Sequence, residues 1–245
     1  MALIFREMAT TYGRSPGGYL WAILEPVAGT ALLTFVFSLA FRSPPIGDSF
    51  PLFYATGLLP FMLYLDVSTK VSQAIQFSRP LLFYPTVTYF DAIAARFILN
   101  FITQIMVFFL VIAGIILFLD VQTIINFQAI VYSLAMAGAL ALGVGSINCF
   151  LISMFPMWIR IWAIFNRPMF IISCIFFVFE SIPEPYRGIL WYNPLVHIVG
   201  MMRRAFYPTY DAIYVSGAYV FSISGILFLI AFVFLNRYHR DILNN

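Results

Sequence analysis

The chain has 245 residues, of which 62% are hydrophobic and 9% are charged, and its formal net charge is +3. A soluble globular domain carries about 25% charged residues, so this composition excludes a water-soluble protein and predicts an all-α integral membrane protein. The small net charge, without a basic stripe, also excludes a nucleic-acid-binding protein.

The first stretch, residues 1–18, is too short and too polar to cross a membrane. Leu3, Ile4, Met8 and Tyr12 recur in it at roughly helical spacing, with charged side chains among them. This pattern predicts an amphipathic helix along the inner membrane surface. A plain cytoplasmic tail is the alternative.

The rest of the chain is dominated by long apolar stretches. A membrane-crossing helix needs about 20 mostly apolar residues, and about six stretches meet this requirement. The predicted spans are Tyr19–Phe41, Phe50–Val71, Phe97–Leu119, Phe127–Phe155, Ile161–Phe179 and Ala212–Leu235. Arginines concentrate on the side of the N-terminus, which predicts that both termini are cytoplasmic.

The loops between the spans are short, so the chain is predicted to form one membrane domain over residues 1–245. Its parts are the interface helix at 1–18, the first five spans within 19–180, an outer segment at 181–211 and the sixth span within 212–237.

The second predicted span contains two charged residues, Asp66 and Lys70. A charge in lipid costs several kcal/mol unless it is paired or hydrated, so both side chains should face protein or water. They are four residues apart and share a helix face. The patch is therefore interpreted as lining a substrate path, with an internal ion pair or a Lys70 that reaches the inner interface as the alternatives.

The inner loop after this span combines prolines with apolar and aromatic residues. An exposed apolar patch on the cytoplasmic face suits a helix that docks on a partner subunit, and an interfacial turn anchored in the headgroups is the alternative. The residues predicted to couple the chain to a partner are Gln76, Arg79, Pro80, Leu81, Tyr84 and Pro85.

The fourth span carries small residues at every fourth position, among them Gly143 and Gly145. Small residues at this spacing let helices approach closely. The stripe predicts packing, either within the chain or between two copies of it.

The outer segment before the last span contains an apolar piece, Gly188–Met202, that is too short to cross the membrane. It is predicted to be re-entrant, buried against protein. Aromatic and charged residues around it suit contact with a sugar or a lipid headgroup, or an ordinary aromatic belt. The candidate residues are Glu180, Glu184, Arg187, Asn193, Pro194, Arg203 and Arg204.

The sequence contains no G-x-x-x-x-G-K-[ST] phosphate-binding loop. If transport by this chain uses ATP, a separate ATPase subunit must bind and hydrolyse the nucleotide. No metal-ligand spacing and no catalytic Ser–His arrangement is present in the sequence, so no metal site, no catalytic residue and no enzymatic activity are predicted.

Two stretches resemble a known family. The first is the opening, with Arg6-Glu7, Tyr12-Gly13-Arg14, Gly18-Tyr19-Leu20-Trp21-Ala22 and Glu25-Pro26. The second is Trp191-Tyr192-Asn193-Pro194-Leu195, followed by Arg203 and Phe206. Both are similar to the ABC-2 type transporter permeases, and most of all to the inner-membrane permeases that export capsular polysaccharide.

The resemblance implies an interface helix, six spans, a cytoplasmic coupling helix and re-entrant helices before the last span. It also implies a homodimer that works with two ATPase subunits, which bind ATP and Mg, on a lipid-linked polysaccharide. Periplasmic and outer-membrane export proteins are implied as further partners. Aromatic side chains that stack weakly on sugars suit such a path, and the candidates are Tyr19, Trp21, Phe61 and Tyr64, near Asp66 and Lys70.

Other functions remain as alternatives. Within the same class, the cargo could be another glycan, such as O-antigen or teichoic acid, or a small amphiphile. An ion-driven secondary transporter is a different class. It calls for buried acids and often an inverted repeat, and the sequence offers few such acids and no visible repeat.

Overall fold

The computed structural model describes residues 18–82 and 88–244. In these ranges the chain forms nine α-helices and no strand. The helices are α1 (Gly18–Ala40), α2 (Phe50–Ser72), α3 (Ala74–Leu82), α4 (Tyr89–Phe118), α5 (Phe127–Met154), α6 (Trp158–Ile172), α7 (Tyr186–Trp191), α8 (Pro194–Phe206) and α9 (Gly217–Asn244). The predicted interface helix falls almost wholly outside the described residues, and Tyr84 and Pro85 fall outside them too.

Five helices are long and apolar enough to cross a membrane: α1, α2, α4, α5 and α9. They correspond to the first four predicted spans and to the last one. The prediction of an all-α integral membrane protein is therefore confirmed.

The start of α4 differs from the predicted start of the third span at Phe97. Thr88 and Asp91 form a capping box: the Asp91 N–H donates to Thr88 Oγ1 at 3.2 Å, and the Thr88 N–H donates to Asp91 Oδ2 at 2.9 Å. These two bonds satisfy backbone groups that the first turn leaves without partners. The helix therefore begins at Tyr89, and Arg96 lies within it.

The fifth predicted span, Ile161–Phe179, differs in extent. Helix α6 covers only Trp158–Ile172, a length of about 22 Å against a hydrocarbon core of about 30 Å. The chain then leaves the helix at Ser173, and Cys174 takes a positive φ of 58°. The irregular stretch 173–178 is mostly buried, which is how non-helical backbone is tolerated at membrane depth.

The core lies where α5 contacts α2 on one side and α9 on another. Glycines allow both contacts. A Cβ on Gly143 would come within 2.5 Å of the Ser224 carbonyl oxygen of α9, and one on Gly145 within 2.7 Å of the Val71 side chain of α2. The small-residue stripe was predicted to pack either within the chain or between two copies. These two glycines pack within the chain.

The outer segment contains the short helices α7 and α8, and α8 is buried against α5 and α2. Asn193 joins α8 to the end of α6. Its side-chain oxygen accepts from the Leu195 N–H at 3.1 Å, and its amide Nδ2 donates to the Ile172 carbonyl at 3.1 Å. Pro194 follows at the first helical position, where its missing N–H costs nothing.

Candidate functional site

The polar patch on α2 is arranged around a side-chain hydrogen bond to α4. The Asp66 carboxylate accepts from Gln104 Nε2 at 2.5 Å, and among the described residues Asp66 and Lys70 form no ion pair. The patch thus joins a charged side chain of α2 to an amide of α4.

The four candidate aromatic residues are in different environments. Trp21 is exposed on α1, whereas Phe61 and Tyr64 are buried in the core. The Phe61 ring lies edge-on against Phe170 of α6, with 5.5 Å between the ring centres. Tyr19 lies on α1, and its side chain is outside the described residues. Of the three aromatic side chains that the structure describes, only that of Trp21 is accessible to a substrate in the single chain.

The predicted coupling segment overlaps helix α3, which is separated from α2 by the single residue Gln73. Ala74, Ile75 and Ser78 are buried, whereas Gln76 and Arg79 are exposed. The helix is therefore amphipathic, with Gln76 and Arg79 on its outward face. Pro80 and Leu81 belong to α3, but their side chains are outside the described residues.

Arg96 of α4 contacts both the end of α2 and helix α3. The sequence prediction did not include it among the site residues. It is only 4% exposed. Its Nη1 donates to the Lys70 carbonyl at 3.0 Å, and its guanidinium carbon lies 4.1 Å from the centre of the Phe77 ring of α3. The sequence contained one signal for it, because the Thr-x-x-Asp box at 88–91 starts the helix early enough to place Arg96 inside it.

Arg203 of the outer segment is buried, and its two Nη atoms donate to backbone carbonyls. Its Nη2 donates to the Ile175 carbonyl at 2.8 Å and its Nη1 to the Phe177 carbonyl at 2.7 Å. Its guanidinium carbon lies 4.2 Å from the centre of the Phe53 ring of α2. Arg203 thus satisfies carbonyls that the break after α6 leaves without helical partners, while its neighbour Arg204 is exposed.

The acidic residues of the outer segment are at its surface. Glu184 and Arg187 form an exposed ion pair at 2.8 Å. Glu180 accepts a hydrogen bond from the Tyr210 hydroxyl at 2.9 Å, and burial raises the pKa of Tyr210, so the phenol keeps the proton that it donates. Exposed carboxylates beside phenol rings are groups that can hydrogen-bond to sugar hydroxyls.

Two helices have faces that the other described residues leave uncovered. Helix α6 contains no buried residue, and most of α1 is exposed. Both carry an exposed charge, Glu25 on α1 and Arg167 on α6, and Arg167 is about 14 Å along its helix from Trp158. Because a charge that faces lipid is costly, these faces are poorly suited to lipid.

The profile of the family described as ABC-2 type transporter matches residues 1–207. The chain belongs to the ABC-2 type transporter family. Among curated relatives, the polysialic acid transport protein KpsM of Escherichia coli is 34% identical over 209 residues, which are 85% of this chain and 81% of KpsM.

Two further relatives extend the likeness. The capsule polysaccharide export inner-membrane protein CtrC of Neisseria meningitidis serogroup A is 25% identical over 98% of this chain and 91% of its own length. The corresponding protein BexB of Haemophilus influenzae is 26% identical over 86% of this chain and 82% of its own length. Two of these three relatives of this ABC-2 permease are thus described as inner-membrane proteins of capsule polysaccharide export.

Proposed function

We propose that this ABC-2 permease is the membrane-spanning subunit of an ATP-driven exporter that moves a lipid-linked, capsular-type polysaccharide across the inner membrane. The observation that carries the proposal is the 34% identity to a polysialic acid transport protein over 85% of the chain. Five helices long enough to cross a membrane support a transport role. The two relatives described as capsule polysaccharide export proteins favour a glycan over a drug.

In this proposal the energy comes from two separate ATPase subunits that bind ATP and Mg. The absence of a phosphate-binding loop from the sequence supports that division. Helix α3 docks on the ATPase through its outward face, which carries Gln76 and Arg79. This requires α3 to be cytoplasmic, in agreement with cytoplasmic N- and C-termini.

The exporter contains two copies of this chain, which meet through α1 and α6. The uncovered faces of these helices and their charges, Glu25 and Arg167, support this arrangement. A second copy covers apolar surface and surrounds the charges with protein and water. The substrate path then runs between the copies.

Aromatic rings hold the glycan weakly at many points, which lets it slide without stalling. Trp21 is accessible for this role in the single chain. Phe61 becomes accessible when α6 moves, because Phe170 of α6 covers its ring. The polar patch of Asp66, Lys70 and Gln104 lies on the same helix bundle and supplies hydrogen-bonding groups near the path.

The test is export in cells whose own copy is deleted and replaced by variants. Arg79→Glu reverses the charge on the outward face of α3, and we expect at least a tenfold loss of surface polysaccharide, which corresponds to about 1.4 kcal/mol of docking energy. Arg237→Glu makes the same change at an exposed residue of α9 and serves as the control. Normal ATP-dependent export by Arg79→Glu would show that α3 is not the docking element. Export of no polysaccharide by the unaltered protein would contradict the proposed substrate.

A further inference from the structure

We propose that Arg96 is a positioning residue that joins the docking helix α3 to the transmembrane helix α4, so that movement of α3 is carried into the membrane. The inference rests on the proposed function, because it assumes that α3 receives motion from an ATPase. It adds the side chain through which that motion leaves α3.

The corner between α2 and α3 is a natural point of bending. Only Gln73 separates the two helices, and its backbone leaves the helical geometry. Helix α2 is largely buried, whereas α3 is short and exposes Gln76 and Arg79. A force applied to α3 would therefore turn it about Gln73 unless a contact beyond the corner resists.

Arg96 provides such a contact on both sides of the bend. It binds the Lys70 carbonyl before Gln73 at 3.0 Å and stacks on the Phe77 ring after Gln73 at 4.1 Å. A guanidinium suits this double role, since its edge donates hydrogen bonds while its face stacks on an aromatic ring. Its charge also lies at the C-terminal end of α2, where the helix dipole favours a cation.

The position of Arg96 determines where the motion goes. It lies in the second turn of α4, whose first turn is fixed by the capping box at Thr88 and Asp91. Further along α4, Gln104 binds Asp66 of α2. A shift of Phe77 is therefore passed to Arg96 and along α4 toward the polar patch.

A lysine at position 96 would not reproduce this geometry. Its ammonium can donate to the Lys70 carbonyl, but it lacks the planar face that stacks on Phe77. Leucine at position 77 similarly fills space without offering a ring to the cation. Tryptophan at position 77 changes the size of the side chain but keeps an aromatic face. It therefore shows whether coupling depends on the cation–ring contact or on the size of the side chain.

The experiment uses the full chain assembled with its ATPase in lipid vesicles. ATP hydrolysis and polysaccharide export are measured for Arg96→Lys, Arg96→Gln, Phe77→Leu and Phe77→Trp. The control is Arg237→Gln at an exposed position of α9. We expect export per ATP hydrolysed to fall at least tenfold in Arg96→Gln and Phe77→Leu, with hydrolysis within about twofold of the unaltered chain, a loss of about 1.4 kcal/mol of coupling. Arg96→Lys should be intermediate, and Phe77→Trp and Arg237→Gln should be close to the unaltered chain.

A double variant tests whether the two side chains act together. Arg96→Gln with Phe77→Leu should lose no more coupling than either change alone, because both remove one interaction. Additive losses, or parallel losses of hydrolysis, export and melting temperature, would assign both residues to fold stability alone and overturn the inference.

A second readout does not depend on the cargo. A nitroxide at Gln76 on α3 should become more mobile in Arg96→Gln, while one at Ile102 on α4 should not change. Equal mobility at Gln76 in both proteins would overturn the inference. The nitroxide measurement can be interpreted even if the unaltered complex hydrolyses ATP and exports no polysaccharide. That failure of export would contradict only the proposed function.

Discussion

Arg203 shows how a buried arginine can hold an interrupted membrane helix in place. The break after Ile172 leaves the Ile175 and Phe177 carbonyls without helical partners, and Arg203 donates to both. Unpaired carbonyls away from water each cost about 1–3 kcal/mol. The C-terminal end of α6 therefore depends on one side chain from α8.

We predict that Arg203→Met lowers the free energy of unfolding by about 2–5 kcal/mol, because two buried carbonyls lose their donor. Arg204→Met is the matched control, since Arg204 is adjacent and exposed, and it should change stability by less than about 0.5 kcal/mol. Thermal unfolding of the detergent-solubilised protein measures both. Equal stability of the two variants would contradict the structural role of Arg203.

The sequence contained enough information to separate these two arginines, although the prediction grouped them. In α8 the buried residues Leu195, Val199, Met202 and Phe206 follow helical spacing, and Arg203 falls on the same face. The acceptors of Arg203 could not be predicted in the same way. They are main-chain carbonyls of a segment that hydropathy alone presents as continuous helix.

Among the helices, α5 is the one whose composition most directly explains its packing. Its glycines lie where α9 and α2 approach, and the approach at Gly143 is to backbone, which cannot rotate away. Close contact of this kind is a common way for membrane helices to associate. The stripe was predictable from spacing alone, but its partners were not, because spacing does not say which helix lies opposite.

We predict that Gly143→Ala lowers the free energy of unfolding by about 1–3 kcal/mol, because the added Cβ would come within 2.5 Å of the Ser224 carbonyl oxygen. Gly225→Ala on α9 is the control. A Cβ there meets no atom within 4 Å, so this change should be neutral or stabilising by up to about 1 kcal/mol. Chemical or thermal unfolding in detergent distinguishes them, and a neutral Gly143→Ala would mean that α5 and α9 can separate at little cost.

Helix α6 marks the limit of prediction at this scale. Apolar content placed a helix in this region, but α6 is not among the described helices long enough to cross a membrane. The residues after Ile172 are as apolar as those before it. The helix ends where side chains from other elements bind backbone carbonyls. Asn193 donates to the Ile172 carbonyl, and Arg203 donates to the carbonyls of Ile175 and Phe177. Such long-range partners are not visible in local sequence.

For the whole molecule, composition and span length predicted the class and most of the helical layout. The environment of the candidate path residues was not predictable. Phe61 and Tyr64 are buried in the core while Trp21 is exposed, a difference that depends on how α1, α2 and α6 pack. The orientation and the dimer remain predictions.

We predict that two copies meet at α6. Cysteines placed singly at Ile161, Ile164 and Phe165 should give oxidative dimers in membranes at one or more positions, because a two-fold axis brings equivalent residues together. Ile102→Cys on α4 is exposed to a similar degree as Ile164 and should stay monomeric. The natural cysteines, Cys149 and Cys174, are buried and free, so the chain without an added cysteine should form no oxidative dimers.

Dimers from Ile102→Cys, with none from the three α6 positions, would place the contact on α4 instead. Dimers from neither helix, in membranes where the exporter is active, would contradict a symmetric contact near α6.

The charges on α1 and α6 also bear on how long a newly made copy survives. If two copies meet through α1 and α6 as proposed, a copy without its partner exposes Glu25, Arg160 and Arg167 on these mostly apolar helices, at a cost of several kcal/mol in hydrocarbon. We expect such a copy to be held less securely in the bilayer and to be degraded by membrane proteases faster than an assembled one. The amount of exporter would then follow assembly more closely than synthesis.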